Sequence, residues 1–348
     1  MKREVKVGNL TIGGGHPIVI QSMTNTKTTD IDGTIAQILA LHHAGCQLVR
    51  CSVPDEASAR ALKEIVAQSP IPVVADIHFR SKLACMSADA GAAKIRINPG
   101  NIGSHDKVRY LADYLKERSI PIRIGVNGGS LDPKYAEMPL DRALAESTME
   151  HVRLLEDCGF YDIILSAKAS DVPTMVRAYR MLDQMCDYPL HLGVTEAGTY
   201  TKGLVKSAVG IGALLVDGIG DTIRVSLTDD PVKEIYAAAE ILKACGKYPH
   251  PYAEIVSCPT CARTCIPVQE LADRVDAMCA DLQVPIKVAV MGCVVNGIGE
   301  SKGADVGIAG GPEKSVLFAH GKQIALIPNE EILPRLRAYI DQWVKERW

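Results

Sequence analysis

The sequence predicts an α/β fold, a (β/α)8 TIM-type barrel followed by a small α+β domain, on three observations. From residue 18 to about residue 227, an apolar, β-branched run ending in polar residues alternates eight times with an amphipathic segment that closes on Gly or Pro. Strands alternating with helices pair in parallel through crossovers, and eight of them favour closure into a barrel over an open doubly wound sheet. A Pro-rich stretch starting Gly246-Lys-Tyr-Pro-His-Pro-Tyr then reads as a linker, and mixed strands and helices fill the remainder. A chain of 348 residues suits a barrel of about 250 residues with a second domain, placed here at 1–247 and 248–348.

The eight runs are 18–23, 47–52, 73–79, 93–98, 120–127, 162–168, 190–197 and 222–227. Between them, 30–44 can start on Thr29 or Asp30 and stop at Gly45, with Ile35, Ile38, Leu39 and Leu41 along one side. Asp230-Pro231 opens a helix over 232–245, which Gly246 closes. Beyond the linker we expect a strand at 254–257, a helix at 268–282, strands at 286–291 and 305–309, a hairpin over 315–327 turning at His320-Gly321, and a helix from 329 to the end.

The strand ends carry the chemistry. Arg50, Asp76, His78, Arg96, Asn98, Arg123, Asn127, Lys168, Glu196 and Arg224 stand at or near the C-terminal ends of their runs, the edge where barrel enzymes place their active sites. In Lys94-Ile-Arg96-Ile-Asn98 and Arg123-Ile-Gly-Val-Asn127 the polar residues share one face by strand alternation. Five cations at one mouth, in a chain of net charge -3, point to a multiply charged anionic substrate of the diphosphate kind, since guanidinium forks match phosphate. The alternative is that each Arg pairs with an inward Asp or Glu.

Composition excludes other classes. The near-neutral charge argues against nucleic acid as a partner. No stretch approaches the ~18–20 apolar residues of a membrane span, and the N-terminal residues lack a signal-peptide core. Eleven cysteines without an export signal read as reduced thiols and metal ligands of the cytoplasm. Most stand singly. Cys258, Cys261 and Cys293 do not: Cys258-Pro-Thr-Cys261 follows one strand and Cys293 follows another, with Glu300 or Cys265 as a fourth donor. Thiolates select zinc or an iron-sulfur cluster, and three thiolates with one exchangeable oxygen ligand suit a catalytic cluster. A radical enzyme cleaving S-adenosylmethionine is a rival, although its Cys-x3-Cys-x2-Cys order appears here reversed, as Cys258-x2-Cys261-x3-Cys265, and after the barrel. A cluster-bearing redox sensor is a non-enzymatic rival, but it predicts no polar convergence at the strand ends.

The strings Ala75-Asp-Ile-His-Phe79, Arg96-Ile-Asn-Pro-Gly-Asn-Ile-Gly103, Arg123-Ile-Gly-Val-Asn127, Leu192-Gly-Val-Thr-Glu-Ala-Gly198, Ser257-Cys-Pro-Thr-Cys261 and Gly292-Cys-Val-Val-Asn-Gly297 resemble the 4-hydroxy-3-methylbut-2-enyl diphosphate synthase family in its short bacterial form. The resemblance covers essentially the whole chain. It implies reductive opening and dehydration of 2-C-methyl-D-erythritol 2,4-cyclodiphosphate, the penultimate step of the methylerythritol phosphate route to isoprenoids. It also implies a [4Fe-4S] cluster on Cys258, Cys261, Cys293 and Glu300, and Glu196 as a catalytic acid; on our reading Glu300 is then the ligand that gives way. Substrate would be held by Arg50, Asp76, Arg96, Asn98, Arg123, Asn127, Lys168 and Arg224. The partners it implies are reduced flavodoxin or ferredoxin and a second copy of the chain, in a homodimer whose cluster domain covers the partner's barrel. Three features depart from the family pattern: the extra thiol Cys265, Ala262 and Ile298 in the ligand loops, and Arg80-Ser-Lys82, where either cation is a phosphate candidate.

Overall fold

The computed structural model describes residues 2–78, 80–98, 104–295, 299 and 301–348, leaving aside the side chains of His105 and Ser130. Glu300, Ile298, and Asn296 and Gly297 of the second cysteine motif lie outside the described residues, as do Phe79 and residues 99–103. The chain divides into two compact units, Met1–Pro249 and His250–Trp348.

The first unit opens with a hairpin outside the βα repeat, β1 (Val5–Val7) and β2 (Leu10–Ile12). Its two-residue turn places Gly8 at φ +58°, in the left-handed region that a tight hairpin turn demands. Val5, Val7 and Ile12 pack with Val19, Leu48, Val74 and Ile164 from the barrel strands.

The eight barrel strands fall on the eight expected runs: β3 (Val19–Met23), β4 (Leu48–Ser52), β5 (Val73–Asp76), β6 (Lys94–Ile97), β7 (Ile122–Asn127), β8 (Ile163–Lys168), β9 (His191–Leu192) and β10 (Thr222–Ile223). All are parallel, in the order β8-β7-β6-β5-β4-β3-β10-β9. A single bridge, Leu165 to Leu190, closes the circle. There Leu165 N–H donates to Pro189 O at 2.9 Å. The Tyr179 hydroxyl spans the same seam, accepting from Ala167 N–H at 3.3 Å and donating to His191 O at 2.6 Å.

The last two strands are shorter than their apolar runs because the backbone leaves the ladder for the mouth, and Glu196 turns left-handed at φ +53°. Outer helices start on aspartates whose carboxylates take a free first-turn amide: Asp30 from Gly33, Asp55 from Ser58, Asp171 from Thr174 and Asp230 from Val232.

The second unit is a five-stranded sheet, β11 (Glu254–Ser257), β12 (Lys287–Met291), β13 (Val306–Ala309), β14 (Lys314–Ala319) and β15 (Lys322–Pro328), paired in that order. The first three strands are parallel and the last two antiparallel. His320 and Gly321 form the expected turn, both at positive φ. Helices Val268–Cys279 and Ile332–Arg347 pack on one face through Leu271, Val275, Leu336 and Ile340. Both are shorter than expected. The first ends in the turn Leu282 N to Cys279 O, and the second is preceded by a 3-10 turn, Asn329–Glu331, whose Asn329 accepts the Ser315 hydroxyl.

Among the described residues, no helix is long and apolar enough to cross a membrane.

Candidate functional site

The carboxyl ends of the barrel strands enclose a cavity of about 140 Å³ lined by Arg50, Asp76, His78, Arg96, Arg123, Asn127, Ser166, Lys168, Thr195, Arg224 and Ser226. Seven of these were singled out from sequence as strand-end substrate ligands. Asn98 is also buried at the end of β6. The alternation inferred from the strands therefore holds, with polar residues inward and apolar ones against the helices.

Two of the cations are neutralised by Asp76. Arg96 Nη1 lies 3.0 Å from Asp76 Oδ1, and Arg50 Nε lies 3.7 Å from Oδ2. His78 Nε2 approaches the same oxygen at 3.6 Å. Burial opposes ionisation of this carboxyl, but Arg50, the His78 side chain and Arg96 outweigh it and hold Asp76 well below the ordinary carboxylate range. Arg50 also points Nη2 at Met23 Sδ, 2.9 Å away.

A third cation, Arg224, is gripped by a residue that sequence reasoning missed. Glu234, in the first turn of helix Pro231–Ala244, meets Arg224 Nη2 and Nε at 3.4 Å each. It also accepts the Ser22 hydroxyl and the Leu227 N–H, both at 3.0 Å. A carboxylate on an outer helix gives no periodic signal that it turns inward.

Arg123 and Lys168 stand differently. Arg123 is 1% exposed and donates to Ser166 Oγ at 2.7 Å, while its buried Nε and Nη2 have no partner among the described residues. Lys168 forms no ion pair among the described residues, and burial together with Arg123, Arg224, Arg50 and Arg96 holds its amine well below the usual lysine value. Buried donors without acceptors cost about 1–3 kcal/mol each, so these two cations favour an anion in the mouth. The alternative in which every cation is paired internally fails at these two among the described residues.

Two glycines, Gly125 within β7 and Gly193 just past β9, make room for the cations. A Cβ on Gly125 would lie 2.6 Å from Arg96 Nε, and one on Gly193 would lie 2.6 Å from both Lys168 Nζ and Arg224 O. Neither position tolerates a side chain without displacing a guanidinium or an ammonium.

Glu196 is exposed at the mouth, and its carboxylate makes no ion pair with Lys168 or with any other described residue. Of the two undecided cations, Lys82 turns to Glu56 at 2.7 Å, and Arg80 is exposed at the start of helix Ser81–Asp89.

In the second unit, the parallel pair β11–β12 sets Ser257 beside Val290, so Cys258 and Cys293 emerge from the carboxyl ends of adjacent strands. Cys258 Sγ accepts the Gly292 N–H at 3.1 Å. Cys261 starts a turn closed by Thr264 N to Cys261 O, and Cys265 N–H donates to Gly292 O at 2.8 Å, which ties the two cysteine loops together. Gly292 itself abuts Thr264, where a Cβ would come within 3.0 Å. The N–H of Arg263, helped by the Thr264 side chain, holds the Cys261 thiol below its ordinary value, toward the thiolate that binds metal. Soft donors on two tied loops, with N–H groups aimed at sulfur, fit an iron-sulfur cluster. Among the described residues, no three His, Cys, Asp or Glu side chains converge as ligands of one ion. Cys265 is exposed, and its Sγ turns to Arg263 O at 3.3 Å.

The GcpE TIM-barrel domain matches residues 2–239, and the GcpE protein C-terminal domain matches residues 254–342. This chain belongs to the GcpE family. GcpE relatives named 4-hydroxy-3-methylbut-2-en-1-yl diphosphate synthase (flavodoxin) match over nearly their whole length. The protein of Caldanaerobacter subterraneus subsp. tengcongensis is 51% identical, over 99% of this chain and 98% of the relative. That of Clostridium perfringens is 51% identical over 97% and 98%. That of Geobacillus thermodenitrificans is 50% identical over 99% and 92%. Solved structures share the fold of the GcpE barrel alone. The dihydropteroate synthase of Xanthomonas albilineans superposes with a TM-score of 0.52 at 14% identity, covering 72% of this chain and all of that one. The Yersinia pestis enzyme gives 0.53 at 14%, covering 70% and 98%. As a GcpE enzyme the chain is an oxidoreductase of isoprenoid synthesis.

Proposed function

We propose that the chain reduces 2-C-methyl-D-erythritol 2,4-cyclodiphosphate, opening the ring with loss of water to give (E)-4-hydroxy-3-methylbut-2-enyl diphosphate. The observation that carries this reading is the pair of buried cations, Arg123 and Lys168, that form no ion pair among the described residues, in the mouth of a barrel whose chain also bears three thiols on tied loops.

Arg123 and Lys168 hold the diphosphate, and its negative charge supplies what their own surroundings lack. Arg50 and Arg96 exchange part of their contact with Asp76 for phosphate oxygens, while Asp76 keeps the two guanidinium groups from repelling each other before substrate arrives. Arg224, fixed by Glu234, lines the wall, and Asn98 and Asn127 orient the ligand from the strand ends. Glu196 donates the proton that leaves with the departing oxygen.

Cys258, Cys261, Cys293 and Glu300 would hold a [4Fe-4S] cluster. When bound, it supplies single electrons and a Lewis-acidic iron for cleavage of the carbon–oxygen bond. The names of the relatives support flavodoxin as the electron donor, and the thiol-rich composition supports a cytoplasmic setting. The working form is a homodimer, so sedimentation should give a mass double that of the 37.5 kDa chain, and a monomer with full activity would remove that part of the reading.

The deciding experiment reconstitutes the cluster anaerobically and records electron paramagnetic resonance with and without the cyclic diphosphate. A reduced-cluster signal that changes with substrate is expected. A signal indifferent to substrate overturns the reading and favours the radical class.

A further inference from the structure

One layer below the phosphate clamp lies a polar group that the proposed reaction does not use. Lys94, in β6, shares the inward face with Arg96 but sits two residues earlier, roughly 7 Å deeper along the strand. It is 0% exposed. Its single hydrogen-bond partner among the described residues is Gln21 Oε1, at 3.4 Å. Among the described residues, no carboxylate bears on it. The charged groups that bear on it are Arg123 from β7 and Arg50 from β4, both positive, and burial and these two hold its amine well below the ordinary lysine value.

The neighbours of Lys94 are also half-satisfied. Gln21 Nε2 from β3 has no partner among the described residues. His191 from β9 sets Nδ1 2.6 Å from Thr222 Oγ1 of β10 and leaves Nε2 without a partner. Burial, then Arg123, Lys168, Lys94 and Arg50, keep the imidazole below its usual value. Higher in the barrel lie Asp76 from β5, already committed to Arg50 and Arg96, and Ser166 and Lys168 from β8.

A Met would fill this position without any desolvation cost. With burial and two guanidinium groups but no described carboxylate bearing on it, Lys94 gives up its proton more readily than an ordinary lysine, and such an amine beneath an anion site is a base awaiting charge.

We propose that Lys94 is a proton-accepting floor to the phosphate clamp: when a diphosphate is seated above it, its amine takes a proton from solvent and becomes a further cation of the site. This rests on the diphosphate reading above and goes beyond it, making substrate binding proton-linked through a residue that does not touch the ligand. The sign follows from linkage. In the free protein Lys94 loses its proton at low pH for a lysine, and bound phosphate raises that point. Uptake therefore appears between the two values and vanishes below the first, where the amine is already charged, and above the second, where it never charges.

The test is titration calorimetry of the anaerobically purified full-length chain with inorganic diphosphate and with the cyclic diphosphate. Buffers of different ionisation enthalpy convert the observed heats into protons taken up per ligand bound. The parent is expected to take up more protons than Lys94→Met at mildly alkaline pH, and the two are expected to agree at acidic pH. Equal counts at every pH, with binding intact, overturn the proposal. Loss of uptake in His191→Asn but not in Lys94→Met assigns the proton to the imidazole and overturns it equally. Absence of any binding heat instead sinks the phosphate reading itself. Should Lys94→Met fail to fold, Lys94→Gln takes its place. In the parent alone, no uptake at any pH beyond what the ligand's own titration supplies is also fatal.

Discussion

Replacing Glu196 by Gln is expected to lower kcat on the cyclic diphosphate by about 10²–10⁴-fold, the usual contribution of a positioned general acid, with KM and thermal stability close to those of the parent. The carboxylate is exposed and makes no ion pair with a described residue, so removing its charge breaks nothing in the resting fold. Its backbone makes the case stronger. A residue other than Gly at φ +53° is held there at a cost of order 1–3 kcal/mol, and such strain gathers where geometry serves a reaction. The neighbouring backbone keeps it in place, through Thr195 N to Ala169 O at 3.2 Å and Thr228 N to Gly198 O at 3.0 Å. Steady-state kinetics with the reconstituted enzyme decide the matter, and unchanged turnover in Glu196→Gln removes the residue from the acid role.

Asp76→Asn is expected to destabilise the barrel by about 3–5 kcal/mol, the range for a buried ion pair that loses one partner. The carboxylate is 4% exposed and is the anion that faces both Arg50 and Arg96, so the amide leaves two buried guanidinium groups repelling each other. The same argument sets the pH dependence of the parent. Because the folded-state pKa of Asp76 is depressed, its stabilisation is present at and above about pH 4 and is lost as pH falls through the folded value. It also predicts a specific rescue: inorganic diphosphate should raise the melting temperature of Asp76→Asn more than that of the parent, since the ligand then supplies the missing anion. Calorimetric melting with and without diphosphate checks both parts. An Asn variant as stable as the parent would show that Asp76 does not balance the clamp.

Much of this was legible because strand alternation and strand-end position are sequence properties. Arg96 and Asn98, or Arg123 and Asn127, announce a shared inward face by spacing alone, and the turn at His320-Gly321 by its residue types. The N-terminal hairpin also carried its signal, the two-residue Gly8-Asn9 between short alternating runs, but it lies outside the βα repeat that organised the reading. Other parts depend on contacts that no spacing encodes. Glu234 reaches Arg224 from an outer helix, Asp76 serves Arg50 and Arg96 at once, and Lys94 differs from its neighbours Arg96 and Asn98 only by depth. The runs at 190–197 and 222–227 looked like full strands because apolar content continues where the ladder has stopped and Glu196 has turned away.

The seam between β8 and β9 makes the barrel unequal around its circumference. Every other neighbouring pair in the circle is held by a ladder, whereas this one has a single bridge, the Thr195 N to Ala169 O bond just past the strand ends, and the hydroxyl of Tyr179 standing in for a backbone group. Local opening follows the weakest set of bonds, so the ring has a built-in clasp. Ala167, beside Lys168, and His191 are the residues the Tyr179 hydroxyl joins across it. One buried phenolic oxygen thus helps to keep the edge that carries Lys168 from parting company with the rest of the wall.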